Sequence, residues 1–229
     1  MTNIILPTYT TKLPSTGKTV TFRPFTVKEE KALLLALEEN NLETVAAAIK
    51  NTIKICTQNE INPDNHPYYD LEYLFLQIRA KSVGEFIDLI GSCDCTTPST
   101  KTNFSVDITS PTVDGTCLSA KIKIPDTQYT ITIRHPTLSD FVASIKNESE
   151  SGTETIASCI TSVYTDEEVY DWNLKEKTNF VESMSPKQQV GIAKFLDAMP
   201  TIKIDASFKC NKCGQIHEQT LSGFENFFV

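Results

Sequence analysis

Two close cysteine pairs, set far apart in the chain, carry the residue types whose spacing could do chemistry. One is Cys93-Asp94-Cys95; the other is Cys210-Asn211-Lys212-Cys213, followed by Gly214. A Cys-x-Cys or Cys-x-x-Cys spacing lets two thiolates converge on one ion, and two such pairs complete the four-sulfur tetrahedral shell of a structural zinc site. Gly214 suits the tight turn that follows the second thiolate of a knuckle. The sequence therefore predicts one zinc ion held by Cys93, Cys95, Cys210 and Cys213, tying residue 95 to residue 210. Four protein ligands leave no open coordination position, so such a site closes a fold rather than turning over a substrate. The alternative is two pairs of reduced, half-buried thiols. A thioredoxin-like role would need the pair to open a helix in a βαβ pattern. Here Ile202, Ile204, Ala206 and Phe208 alternate ahead of it, as in a strand.

The other three cysteines, Cys56, Cys117 and Cys159, are isolated, which brings the total to an odd seven. The first residues, Met1-Thr-Asn-Ile-Ile-Leu-Pro, carry no basic segment and no long apolar run, so no secretory signal is expected. No stretch approaches the roughly 18 apolar residues of a membrane span. A cytoplasmic, reducing setting favours metal over disulfide. The chain has 229 residues, 40% of them hydrophobic, enough for one large domain or two small ones. Its 21 basic and 29 acidic residues leave a formal net charge of −8, without the basic footprint of a nucleic-acid binder.

The elements that would position the cysteines read as two similar units. Residues 18–30 run Lys-Thr-Val-Thr-Phe-Arg-Pro-Phe-Thr-Val-Lys-Glu-Glu, and residues 129–141 run Tyr-Thr-Ile-Thr-Ile-Arg-His-Pro-Thr-Leu-Ser-Asp-Phe. At an offset of 111 both have a β-branched strand ending in arginine (Arg23, Arg134), a proline, a threonine (Thr26, Thr137) and an acid three residues later (Glu29, Asp140). This is a strand, a break, and a helix opened by a capping box or its aspartate equivalent. The cysteine pairs recur at offsets of 117 and 118. The apolar periodicity predicts helices over 32–37, 42–55 and 68–80 in the first unit, then strands over 85–90 and 103–108. In the second it predicts a hairpin over 121–133, helices over 138–146, 155–164, 174–184 and 186–199, and a strand over 202–208. Ser185 before Pro186 marks the last helix start.

The expected fold is α+β: helix clusters with short antiparallel β-hairpins, a tandem pseudo-repeat closed by a zinc-ribbon-like knuckle. The expected organisation is an extended N-terminal arm over 1–17, a first α/β unit over 18–115, a second over 116–223, and an aromatic tail over 224–229. The alternative to duplication is a chance echo of two strand-to-helix joints.

No catalytic constellation is visible. His66 sits in an Asn-Pro turn, His135 at a strand end before Pro136, and His217 four residues after Cys213, where it reads as an exposed hairpin residue. There is no nucleophile elbow, no phosphate-binding glycine loop and no His-Glu-x-x-His. Adjacent acids such as Glu38-Glu39 do not face each other on a helix and read as solvated faces. Three features point instead to protein partners. They are the arm, the tail with Phe224, Phe227 and Phe228, and the Asp166–Trp172 stretch with Tyr170. Each also has a plainer reading, as a strap, as packing on the chain's own body, or as a core anchor.

Taken together, Leu13-Pro14-Ser15-Thr16-Gly17-Lys18, Val20-Thr21-Phe22-Arg23-Pro24-Phe25-Thr26-Val27-Lys28-Glu29-Glu30-Lys31, Arg79-Ala80-Lys81-Ser82-Val83-Gly84-Glu85, the cysteine pairs and Asn226-Phe227-Phe228 resemble the baseplate protein family of T-even-type contractile-tailed phages. That family includes a minor hub protein and a hub assembly protein. The resemblance implies a structural or assembly role in the tail baseplate, in the hub or wedge region, for a protein made in the host cytoplasm. It implies other baseplate and tail proteins as partners, with no nucleic acid, membrane or small-molecule substrate, and no enzymatic activity. A transient hub assembly chaperone absent from the mature virion is the close alternative. A zinc-ribbon nucleic-acid-binding protein is the alternative of a different class.

Overall fold

The computed structural model describes residues 4–117, 120–146 and 152–224. The chain opens with a hairpin, β1 (Tyr9–Lys12) against β2 (Thr19–Phe22), in antiparallel register from Tyr9↔Phe22 to Lys12↔Thr19. The segment read as an extended arm is thus, from Tyr9 on, part of the body: Leu13 is fully buried, whereas Ile4 and Ile5 are 87% and 94% exposed. Three helices follow: α1 (Val27–Glu38), α2 (Leu42–Cys56) and α3 (Tyr68–Ser82). Asn41 caps α2, its side-chain oxygen accepting from the backbone N–H groups of Glu43 and Thr44.

Helix α3 is the centre of the molecule. Leu71, Leu74, Phe75 and Ile78 face one core with β1, β2, α1, α2 and Phe224; Tyr69, Leu76 and Ala80 face another. A helix buried on two sides has no single apolar stripe, so periodicity exposes only one of its faces. It also buries two acids that hold distant chain segments. Asp70 accepts from the Ser15 backbone N–H (2.9 Å) and from the Ser15 hydroxyl, and Glu72 accepts from the Gly223 N–H (2.5 Å).

The second core lies between α3 and two ribbons. In the first, β3 (Phe86–Cys93) pairs with β4 (Thr100–Asp107) in register from Phe86↔Asp107 to Cys93↔Thr100. A short strand β5 (Thr112–Asp114) follows. The third core belongs to the later residues. There β6 (Lys121–Lys123), β7 (Thr130–Ile133), β8 (Ile160–Tyr164) and β9 (Val169–Tyr170) form a four-stranded antiparallel sheet in chain order. It packs with α5 (Thr153–Cys159), α6 (Leu174–Glu182) and α7 (Pro186–Asp197), while α4 (Leu138–Lys146) joins the first core through Leu138 and Val142. Trp172 is a partly buried anchor here, its ring 5.0 Å from Phe180 and 5.2 Å from Tyr170. In the second ribbon β10 (Thr201–Lys209) pairs with β11 (Ile216–Leu221), and β10 also pairs with β5.

The helix expected over 155–164 ends at Cys159; Ile160–Tyr164 is strand β8. Ile160 and Val163 are fully buried, and β8 pairs with β7 through Ile131↔Val163 and Ile133↔Ile160. A short run carrying β-branched residues takes the extended form when a partner strand from elsewhere in the chain is waiting for it.

The two strand-to-helix joints share their detailed geometry. Arg23 reaches Glu29 (2.8 Å) and the Pro24 carbonyl (2.7 Å), and its backbone N–H donates to the Cys56 carbonyl (3.0 Å). Arg134 reaches Asp140 (2.6 Å) and the His135 carbonyl (3.1 Å), and its backbone N–H donates to the Cys159 carbonyl (2.9 Å). In each joint the acid also accepts from a threonine, through N–H and hydroxyl alike: Glu29 at 2.5 and 2.7 Å from Thr26, Asp140 at 2.7 Å twice from Thr137. Each joint thus opens a helix, and the buried cysteine ending the next helix receives the arginine N–H.

Candidate metal centre

The β3–β4 and β10–β11 ribbons lie against each other, and the turn of each presents its cysteine pair to the other. Cys93 is the last residue of β3, and Cys95 lies in the turn to β4. Cys210 follows β10 directly, and Cys213 is in the turn to β11. The second turn is tightly hydrogen-bonded. Cys210 N–H donates to the Gln215 carbonyl (2.8 Å), Gly214 N–H donates to the Cys210 carbonyl (3.0 Å), and Gly214 has φ +77°, which favours glycine. The Lys212 N–H points at the Cys210 sulfur (3.5 Å). The turn is also pinned to the other ribbon: Asn211 N–H donates to the hydroxyl of buried Thr102 (3.4 Å).

The four Sγ atoms all lie within 4.8 Å of one another. Cys93 to Cys213 and Cys95 to Cys210 are each 3.7 Å, so both short contacts cross between the ribbons. An ion bound tetrahedrally at about 2.3 Å from each sulfur holds those sulfurs about 3.8 Å apart. The donor set and its spacing therefore fit a tetrahedral four-thiolate shell. Of the four, Cys93 and Cys210 are buried; Cys95 and Cys213 are exposed. Burial pushes the Cys93 thiol up to about 12, with the neighbouring sulfurs adding to it. The backbone N–H groups of Cys213 and Lys212 hold Cys210 down at about 6 despite its burial. Amide hydrogen bonds to a thiolate favour the form that binds metal.

What sets the distance between the ribbons is legible two residues before each pair. A Cβ at Gly91 would lie 2.4 Å from two atoms of the Phe208 ring, so β3 approaches β10 as closely as a glycine allows. Phe208 has ring neighbours besides, Phe104 at 5.1 Å and His217 at 4.8 Å, both stacked. His217 is therefore packed into this layer rather than exposed on the hairpin, and it does not belong to the four-sulfur group. Neither Gly91 nor the Phe104–Phe208–His217 stack was singled out in the sequence; the available signal was a glycine at the position of β3 that faces β10.

The other two histidines are in one cleft of about 520 Å³, lined by Ser15, His66, Tyr69, Cys117, Arg134 and His135 among others. His66 Nδ1 is 3.5 Å from Asp70, and His135 Nδ1 is 3.2 Å from the Tyr69 hydroxyl, with its ring stacked 4.5 Å from Phe195. Burial lowers the His135 pKa, which favours the neutral imidazole. Of the tail, Phe224 is 5% exposed and packs edge-on against Tyr68 and Phe75; Phe227 and Phe228 lie outside the described residues.

Among the described residues no helix is long and apolar enough to cross a membrane. No solved structure matches the chain. The baseplate hub assembly protein gp26 of Enterobacteria phage T4 is 26% identical over 221 residues, spanning 93% of each chain. Residues 6–229 match the T4 bacteriophage base plate protein family, and the chain belongs to that family.

Proposed function

We propose that this chain acts in building the hub of a contractile-tail baseplate, by binding other tail proteins. It is a structural or assembly protein of the phage baseplate and not an enzyme. The observation that carries the hub assignment is the end-to-end similarity to a baseplate hub assembly protein, 93% of each chain. Exposed apolar side chains offer contact area: Ile4 and Ile5 ahead of β1, Val27, Leu34 and Leu35 on α1, and Phe86 and Ile90 on the outer face of β3. Burying such area against a partner is favourable by roughly 25 cal/mol per Å² before association costs. The −8 net charge speaks against the nucleic-acid alternative. The test is a phage lacking this gene product, complemented in trans. Loss of hub complexes without the protein supports the reading; normal hubs would refute it. Mass spectrometry of purified virions then separates a resident component from a factor that leaves.

We further propose that Cys93, Cys95, Cys210 and Cys213 bind one structural zinc ion. Cross-ribbon sulfur distances of 3.7 Å support this, as does the soft thiolate donor set. The ion would supply no reaction step. It would join the ribbon that ends the first half to the ribbon that ends the second. Elemental analysis of protein purified without added metal should give one zinc per chain, and Cys210→Ser should abolish it.

The same geometry supports a tandem organisation, with units over 18–115 and 116–223. The matching arginine joints, the carbonyl–arginine contacts of Cys56 and Cys159, and the placement of each cysteine pair at a ribbon turn all favour duplication over a chance echo. Superposing residues 19–35 on 130–146 is the test; failure of the Arg23 and Arg134 joints to coincide would reject it.

A further inference from the structure

Helix α1 buries one side and leaves the other bare. Leu33 and Ala36 are buried, while Val27, Leu34 and Leu35 are 78%, 51% and 51% exposed. Val27, Lys31, Leu34 and Glu38 follow at steps of four, three and four, so they line one exposed stripe, with Leu35 beside it. The charges on this side are in the wrong order for a helix standing alone. Lys28 is in the first turn and Glu38 in the last, where the helix dipole favours the opposite signs. Lys28 and Lys31 are three residues apart, neighbours of like charge on the helix surface. At four residues to either side Lys31 has Val27 and Leu35, and Glu38 has Leu34 and Leu42, so neither meets an opposite charge along the helix. Among the described residues neither side chain forms an ion pair.

We propose that this face of α1 packs against α1 of a second copy of the chain, antiparallel about a twofold axis between Leu34 and Leu35. The face is complementary to itself. Lys31 and Glu38 lie equally far from that axis, about 5 Å along the helix at 1.5 Å per residue. Leu34 of each copy then meets Leu35 of the other, and Lys31 of each meets Glu38 of the other, every contact being made twice. The leucines supply the apolar contact and the charges fix the direction, because a parallel pair would set Lys31 on Lys31 and Glu38 on Glu38. An order of charges that is unfavourable along one helix becomes favourable across two. The 12 residues of α1 span about 18 Å, so the interface is small, in the class below about 1,200 Å² that gives weak, reversible association.

The test is sedimentation velocity of the full chain over a concentration series at low salt, where surface charges are least screened. The expected result is a reversible monomer–dimer equilibrium. Lys31→Glu and Glu38→Lys should each weaken it roughly tenfold, since each sets like charges opposite one another at both contacts. Mixing the two variants is the decisive arm. One copy then carries acids at both positions and the other lysines at both, so a mixed dimer should form where neither variant associates alone. The double variant Lys31→Glu with Glu38→Lys should recover the original association. Variants that had merely lost their fold would neither complement each other nor be rescued. A chain that stays monomeric at every concentration, self-association indifferent to both reversals, or a mixture that forms no mixed dimer would each overturn the proposal. A monomer would leave this face to a different protein. The measurement is made on the purified chain alone, so it can fail while the hub assignment stands, and the reverse.

Discussion

Gly91 should tolerate no added side chain without cost, because the approach of the two ribbons passes through it. In Gly91→Ala the new methyl would sit 2.4 Å from Phe208 Cε1 and Cζ and 2.6 Å from Cδ1, well inside contact distance. Phe208 is 6% exposed and has stacked rings at 4.8 and 5.1 Å, so its ring has little room to retreat. Overpacking of a well-filled core typically costs about 1–3 kcal/mol. For a chain of this size that is about 2–4 °C per kcal/mol, or about 2–12 °C in Tm. Phe208→Ala alone should cost about 3–5 kcal/mol, as a buried aromatic lost. The double variant is the informative one. With the ring gone, the methyl at 91 meets open space and partly fills it, so the double variant should be about as stable as Phe208→Ala alone. The coupling is then about 1–3 kcal/mol, read from urea midpoints followed by circular dichroism. Additivity within about 0.5 kcal/mol would show that the ribbons adjust freely, and would refute the argument that this contact sets their spacing.

If the proposed ion is structural, Cys210→Ser should lower thermal stability. The loss should fall short of the roughly 10–16 kcal/mol that zinc supplies in isolated finger peptides, because three hydrophobic cores remain; an unchanged melting curve would count against a structural ion. Acid should destabilise the chain through both arginine joints. Burial alone would raise the pKa of Glu29 and Asp140, but hydrogen bonds from Arg23 and Thr26 to the first, and from Arg134, Thr137 and Ser158 to the second, bring each down to about 2. Folded values below the unfolded ones mean stability present above pH about 4 and lost as pH falls towards 2, so Glu29→Gln and Asp140→Asn should be less stable at pH 7 and show a flatter acid limb in an acid titration. On α1, Leu34→Asp with Leu35→Asp should change stability by no more than about 0.5 kcal/mol each yet reduce recovery in hub complexes; full recovery would remove this helix face as a contact.

Much of this was legible because the signals were local. The Thr26–Glu29 and Thr137–Asp140 caps, the Ser185-Pro186 helix start and the cysteine spacings all lie within a few residues of one another. What escaped the sequence depended on distant partners. Strand β8 was hidden inside an apparent helix because its pairing residues lie in β7, some 30 positions earlier. The burial of α3 on two faces could not be read from one stripe, and the short strands β1 and β5 have no periodicity to show. For the four-cysteine cluster the sulfurs that come together could be picked out by their spacing, but Gly91, Phe208 and Thr102 act across the ribbon interface. The contacts from Arg23 and Arg134 to the carbonyls of Cys56 and Cys159 were equally invisible.

The separation of the cysteine pairs also sets a schedule. Cys95 and Cys210 are 115 residues apart, and an ion held by both ribbons, as proposed, would close a loop of that length. In the chain-entropy picture, cross-linking a loop of about 100 residues removes about 4.7 kcal/mol of freedom from the unfolded state. During synthesis at about 5–20 residues per second, the β3–β4 turn leaves the ribosome about 6–23 seconds before its counterpart. For that interval it can offer only two thiolates, too few to hold an ion firmly. A completed four-sulfur shell would therefore mark a chain translated past Cys213, so that a copy stopped short of the second ribbon could not become metal-locked.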